Sequence, residues 1–268
     1  MIIAGCIAFL VIGLILGLIG GGGSILTVPV LVYLFGIDVV AATAYSLFIV
    51  GISSVVGSVT YFKNKLVSIK TAVVFGIPSI ISVYFTRAYI VPAIPEHIVN
   101  IGGLEITKGI LLMVLFAILM IFASYSMIKV CKNCKDEDEN ASEEQRFNYP
   151  IILLEGLIVG VLTGLVGAGG GFLIIPALVL LSKLKIKKAI GTSLVIIAAK
   201  SLIGFMGENP STGIDWGFLI LVSVFSILGI FIGMLISKKI SGGKLKPIFG
   251  WFVLVMGIFI LLKELFFK

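Results

Sequence analysis

The sequence predicts an all-α integral membrane protein made of two inverted-topology repeats, each a glycine-tipped helical hairpin followed by three transmembrane helices. Three observations carry that prediction. First, the 268-residue chain is 59% hydrophobic and 12% charged, with a mean hydropathy of +1.24. Soluble globular chains instead carry about 25% charged and roughly 45–50% apolar residues. Second, ten apolar stretches follow one another with a single long hydrophilic interruption. Third, the two halves of the chain align on each other at a fixed offset of 147 residues.

The apolar stretches run over 2–19, 25–36, 40–62, 69–90, 107–130, 150–167, 172–182, 187–207, 214–236 and 246–266. Eight of them reach or approach the roughly 20 residues that cross ~30 Å of hydrocarbon. The first lacks a basic leader and a small-residue cleavage site, so it reads as a retained membrane segment. The second and seventh are too short to cross, and each directly follows a glycine cluster. These clusters are "GLIGGGGSILTVP" (Gly17 to Pro29) and "GLVGAGGGFLIIP" (Gly164 to Pro176). The charged run "KDEDENASEEQR" lies between the halves. The expected organisation is therefore an N-terminal membrane repeat over 1–131, a charged cytoplasmic linker over 132–149 and a C-terminal membrane repeat over 150–268.

From Gly13/Gly160 to Gly57/Gly204 the halves align without a gap, and 17 of the 45 pairs are identical. The matches include Gly20/Gly167, Gly22/Gly169, Gly23/Gly170, Pro29/Pro176, Ser46/Ser193 and Ser54/Ser201. Such coincidence of glycines, proline and polar positions marks an internal repeat. The lysines supply its handedness in the bilayer. Lys63, Lys65 and Lys70 put the loop after the third stretch in the cytoplasm, as Lys132, Lys135 and Arg146 do the linker. Lys187 and Lys188, and later Lys238 and Lys239, mark two further cytoplasmic loops; the segments around Glu96 and around Glu208 fall outside. Loops at matching positions carry opposite charge character, so the halves run in opposite directions, as in many secondary transporters. This places the N-terminus outside and the protein as a multi-pass chain in the cell membrane, with Lys263 and Lys268 standing against the rule at the C-terminus. Short basic loops also account for the net charge of +7, and no basic groove with stacking aromatics points to nucleic acid.

A glycine inside a helix costs about 1 kcal/mol relative to alanine, and an unpaired backbone group in lipid costs several. A glycine tip in the membrane must therefore be buried in protein or line a cavity. The two tips are expected to face each other near mid-bilayer, where their following helices present unpaired N–H groups and the positive ends of their dipoles. Such a place suits a small anion. The candidate substrate-binding residues are Gly20, Gly21, Gly22, Gly23 and Ser24 at one tip and Gly167, Gly169, Gly170 and Gly171 at the other. The competing reading is that the glycines serve only close helix packing.

Polar residues on the next helices are further candidates: Ser46, Thr192 and Ser193 as hydroxyl donors, unless they merely bond their own helices. Lys200 lies well inside an apolar run and is a candidate counter-charge, with snorkelling towards the outer interface as its alternative. Glu155 reads as an interfacial carboxylate and Arg87 as an interface anchor at the outer end of its helix. No metal cluster or hydrolase motif occurs, and His97 is the sole histidine, so neither an enzyme nor a cofactor is expected. Cys6 reads as a small buried hydrophobe, and the lone C-x-x-C of Cys131 and Cys134 as reduced thiols.

The two glycine–proline motifs, each followed by A-x-x-x-S-L (Ala42 to Leu47, Ala189 to Leu194), resemble the sulfite exporter TauE/SafE family across nearly the whole chain. That resemblance implies an integral membrane transporter of sulfur-containing anions such as sulfite, sulfoacetate or related sulfonates. The expected function is a secondary transporter that moves a small anion by alternating access around the two tips. The alternatives are an anion-selective channel using the same tips as a filter and, less favoured, a membrane redox subunit using Cys131 and Cys134. The expected partners are the anion, the lipid bilayer, a proton as coupling ion and a second copy of the chain.

Overall fold

The computed structural model describes residues 2–21, 23–101, 104–132, 149–167, 169–180, 184, 186–207, 214–237 and 242–266. Gly22, Ala168, Cys134 and nearly all of the 132–149 linker lie outside the described residues, as do Lys238 and Lys239. Among the described residues the chain forms ten helices, one for each apolar stretch. The first half holds α1 (Ile2–Ile19), α2 (Ser24–Tyr33), α3 (Val39–Lys63), α4 (Ile69–Ala93) and α5 (Lys108–Lys132). The second half holds α6 (Tyr149–Val166), α7 (Gly171–Leu180), α8 (Ile186–Met206), α9 (Trp216–Ser237) and α10 (Gly242–Phe266). Five of them, α3, α4, α5, α8 and α9, contain segments long and apolar enough to cross a membrane.

The short helices follow from local sequence. α2 and α7 have ten residues each, about 15 Å at 1.5 Å per residue, half of a hydrocarbon core. Each carries a proline at its sixth position, Pro29 and Pro176, where the missing N–H weakens the intrahelical ladder. α3 begins at Asp38, whose carboxylate accepts from the Val40 and Ala41 amides at 2.9 and 3.4 Å, an ordinary acidic N-cap. The helical class holds throughout, with one addition in the loop after α4. There β1 (His97–Ile101) and β2 (Leu104–Thr107) pair as an antiparallel hairpin. Its signal was in the sequence: β-branched residues flank the Gly102–Gly103 pair, a strong hairpin pattern.

The bundle is apolar on its outer surface, and its largely apolar interior also holds a set of buried hydroxyls. Ile69, Val73, Ile77 and Ile81 form an exposed stripe along α4 at four-residue spacing, the spacing that repeats one helix face. Ser46, Ser53, Ser54, Thr71 and Ser79 are wholly buried. An apolar outer face together with buried hydroxyls departs from the usual soluble pattern and matches a lipid surround, where helices pack through small and hydroxyl-bearing residues rather than by exclusion of water.

The principal packing pairs interchange when the halves are exchanged. α1 lies on α9 as α6 lies on α4, α3 on α9 as α8 on α4, and α2 on α3 as α7 on α8. α3 packs on α8, α5 on α10 and α2 on α7 across the halves. Small residues permit these approaches at matching positions. A Cβ on Gly13 would collide with the Ser226 carbonyl, and one on Gly160 would stand 2.7 Å from the Ser79 carbonyl; both pairs are related by the 147-residue offset. The same holds for Gly17 against Ile230 and Gly164 against Val83, which carries the offset into α4 and α9. The principal packing of each half is thus against the other half.

Candidate substrate site at the glycine tips

Each short helix is preceded by a tip of matching construction. Gly20 ends α1 at φ +79° and Gly167 ends α6 at φ +70°, in the left-handed region that a residue with a Cβ rarely adopts. The Gly20 amide donates to the Leu16 carbonyl at 2.7 Å and the Gly167 amide to the Thr163 carbonyl at 2.9 Å. The Leu26 and Leu173 amides donate to the Gly23 and Gly170 carbonyls at 3.1 and 3.0 Å, opening α2 and α7 alike. Gly23, the N-cap of α2, brings no side chain to cap the first turn.

The tips meet backbone to backbone. A Cβ on Gly21 would stand 2.6 Å from the Gly171 Cα, and one on Gly171 would stand 2.7 Å from the Gly21 carbonyl oxygen. This is closer than any Cβ can lie, so the contact requires glycine on both sides. Gly21 and Gly171 are buried, as are Gly20, Gly23, Gly167, Gly169 and Gly170.

Around this common frame the two tips differ in chemistry. The first is fastened by hydroxyls. Ser24 Oγ donates to the Gly21 carbonyl at 2.7 Å, and Ser193 Oγ donates to the Gly20 carbonyl at 3.0 Å and to Ile190 at 2.8 Å. Gly20 abuts the Ile190 side chain, and Gly23 abuts the α1 backbone at Ile12 and Leu16.

The second tip is flanked by two buried cations. Gly167 lies against Thr43 and the Arg87 guanidinium, and Arg87 Nη1 donates to Thr43 Oγ1 at 2.9 Å. A Cβ on Gly170 would stand 2.7 Å from Lys200 Nζ, which donates to Thr163 Oγ1 at 2.9 Å. Lys200 is 0% and Arg87 1% exposed. Ser201 Oγ lies 3.2 Å from the Cβ position of Gly169, is wholly buried, and has no hydrogen-bond partner among the described residues.

The candidates read from sequence sort accordingly. Gly20, Gly21, Gly23 and Ser24 form one tip, and Gly167, Gly169, Gly170 and Gly171 with Lys200 form the other; Gly22 lies outside the described residues. Lys200 does not snorkel, because its ammonium is turned inward onto Thr163. Ser193 holds a tip carbonyl, whereas its counterpart Ser46 is buried with its hydroxyl unpartnered among the described residues. Thr192 is engaged elsewhere: its Oγ1 accepts from the Ser68 amide at 2.9 Å, as Tyr45 Oη accepts from the Asp215 amide at 2.7 Å. Those two pairs fasten the starts of α4 and α9.

Arg87 is a correction. Read as an interface anchor, it is instead buried beside Gly167, and a π-helical turn at Thr86–Ile90 interrupts α4 where it stands. Such turns locally widen the helix and recur at functional positions. The available signal was an arginine inside an apolar run, a functional mark by default in a membrane chain. Among the described residues no group of three or more His, Cys, Asp or Glu could hold a metal ion.

Comparisons with known proteins find one family model and several membrane transporter proteins. The family model described as sulfite exporter TauE/SafE matches residues 5–260. A probable membrane transporter protein of Methanocaldococcus jannaschii is 30% identical over 271 residues, covering 94% of each chain. One of Bacillus subtilis is 25% identical over 279 residues, covering 97% of this chain and 98% of its own. One of Xylella fastidiosa is 25% identical over 262 residues, covering 94% and 92%. No solved structure matches the chain.

Proposed function

This chain belongs to the sulfite exporter TauE/SafE family and is a multi-pass membrane transporter, and from that premise we propose that it carries a small anion, bound at the glycine tips, by alternating access. A sulfur oxyanion or organosulfonate, such as sulfite or sulfoacetate, is the cargo this reading favours. The observation that carries it is Lys200, a wholly buried lysine at the second tip whose hydrogen-bond partner among the described residues, Thr163, is neutral. A buried charge without a counter-charge is strongly unfavourable, and an anion at the tip supplies one.

The halves take opposite directions across the membrane in this proposal, with the N-terminus outside and the linker in the cytoplasm. Its support is the lysine pattern and a packing network that interchanges when the halves are exchanged. Two opposed hairpins that touch at Gly21 and Gly171 form a thin barrier between the two sides, the part that a rocking of one repeat against the other would open. A proton is the proposed coupling ion, and a second copy of the chain the proposed partner.

The test is a thermal-shift panel of sulfite, thiosulfate, sulfoacetate, sulfate and carboxylates on detergent-purified protein, followed by flux measurements in liposomes. Saturable exchange or proton-coupled uptake is expected. Non-saturating, electrogenic flux without counter-transport would instead identify an anion channel. Absence of any anion-dependent shift or flux would refute the proposal.

A further inference from the structure

Ser54 and Ser201 are related by the 147-residue offset, and both are wholly buried with hydroxyls that have no hydrogen-bond partner among the described residues. No other offset-related pair of described hydroxyls shares that condition. Ser193, the counterpart of Ser46, bonds Gly20, and Ser226, the counterpart of Ser79, accepts from Ser53. A serine inside a membrane helix ordinarily returns its proton to a carbonyl of the preceding turn, as Ser58 does to Val55, Ser193 to Ile190 and Ser223 to Leu219. Ser54 and Ser201 do not. A buried hydroxyl left unpaired is costly, and here the cost is incurred twice, at equivalent places in the two halves.

The two serines lie where the halves cross. A Cβ on Gly51 of α3 would stand 2.9 Å from the Leu202 side chain of α8, and one on Gly204 would stand 3.6 Å from Leu47. Numbers fall on α3 as they rise on α8, so the helices cross antiparallel, and Ser54 and Ser201 sit beside these contacts. The second tip is seated on the same crossing: the Cβ position of Gly169 is 2.8 Å from Val50, 3.5 Å from Ile197 and 3.2 Å from Ser201 Oγ. Val50 and Ile197 are themselves related by the offset. Ser54 follows Val50, and Ser201 follows Ile197, by one turn on the same helix face. Lys200, beside Ser201, reaches the next tip residue, Gly170.

Resting on the anion-transport reading, we infer that Ser54 and Ser201 are specificity-determining residues of the site: one hydroxyl from each half, at the α3–α8 crossing, donates to one oxyanion whose charge Lys200 answers. Two donors fixed on separate helices are best met by an anion with several oxygens on one atom, such as sulfite or a sulfonate head group. The matched origin of the pair has a consequence for transport. An exchange of conformations between inverted repeats carries each serine into the role of the other. The same two donors then face the anion in both orientations of the carrier, while the tips open in turn.

The experiment measures equilibrium binding of sulfite and methanesulfonate to the purified full-length chain, together with the melting temperature in their absence. Ser54→Ala and Ser201→Ala are each expected to weaken binding of both anions roughly tenfold, the scale of one hydrogen bond to a charged group. Each is expected to leave the anion-free melting temperature unchanged or raised, because neither hydroxyl has a described protein partner to lose. Ser226→Ala, which deprives Ser53 of its acceptor at 2.9 Å, is expected to do the reverse, lowering the melting temperature with affinity unaltered. Wild-type affinity in either Ser54→Ala or Ser201→Ala would overturn the inference while leaving anion transport standing. A fall in anion-free melting temperature as large as that of Ser226→Ala would overturn it too, since it marks a hydroxyl that holds the protein rather than the anion. Failure of the wild-type chain to bind any anion would remove the transport reading and the serine pair together.

Discussion

Gly21 and Gly171, 150 residues apart in the chain, touch backbone to backbone, each occupying the space a side chain on the other would need. Substituting either with valine forces the tips apart. Overpacking of this kind costs roughly 1–3 kcal/mol, so Gly21→Val and Gly171→Val are each expected to lower the melting temperature in detergent and to abolish transport. Gly36→Ala, also at positive φ but with nothing within 4 Å of its Cβ position, is the control: strain without collision, and transport retained.

Lys200 separates stability from activity. Burying an ionised side chain beside a neutral partner carries a desolvation cost that an apolar residue of similar size does not. Lys200→Met is therefore expected to melt at or above the wild-type temperature while losing anion-dependent stabilisation and transport. Thr163→Val, which keeps the ammonium but removes its acceptor at 2.9 Å, is expected to destabilise by roughly 1–3 kcal/mol. Unfolding curves of the two proteins with and without sulfate would show both effects.

Ser24 and Thr192 make a contrasting pair. Ser24→Ala removes the bond to the Gly21 carbonyl and is expected to cost about 1 kcal/mol, with weakened anion binding because the tip loosens. Thr192→Val removes the bond from the Ser68 amide at the start of α4. It is expected to cost a similar amount with anion affinity unaltered. Parallel titrations of the two variants distinguish a tip residue from one that fastens a loop.

The proposed inverted topology is open to direct labelling. Single cysteines introduced at Lys65 and at Glu96, both exposed, are expected to react with a membrane-impermeant thiol reagent from opposite sides, Lys65 from the cytoplasm. Labelling of both from the same side would rule the arrangement out.

Cys131 and Cys134 are expected to be dispensable. A Cys131→Ser/Cys134→Ser protein is predicted to retain wild-type transport; a loss of activity would favour the redox alternative.

Sequence alone determined the helices, their count among the described residues, the short α2 and α7 and the repeat, because lipid enforces them. Apolar runs of sufficient length must be helical, and a run of half that length after glycines must be something else. It also marked Lys200, since an ammonium in such a run has no inexpensive explanation. Only the tertiary structure decided which atoms share the tips. α4 packs on both α6 and α8, so Arg87 reaches Gly167 from a helix whose sequence read as peripheral, while Thr192, one position from Ser193, turns to the start of α4 instead. Neither outcome is encoded in local periodicity. Helix packing sets each residue's neighbours, and the physical reason is that the helices of one half pack chiefly against those of the other. An approximately symmetric backbone was legible from the glycines; the unequal placement of charge upon it became visible only when the halves were packed together.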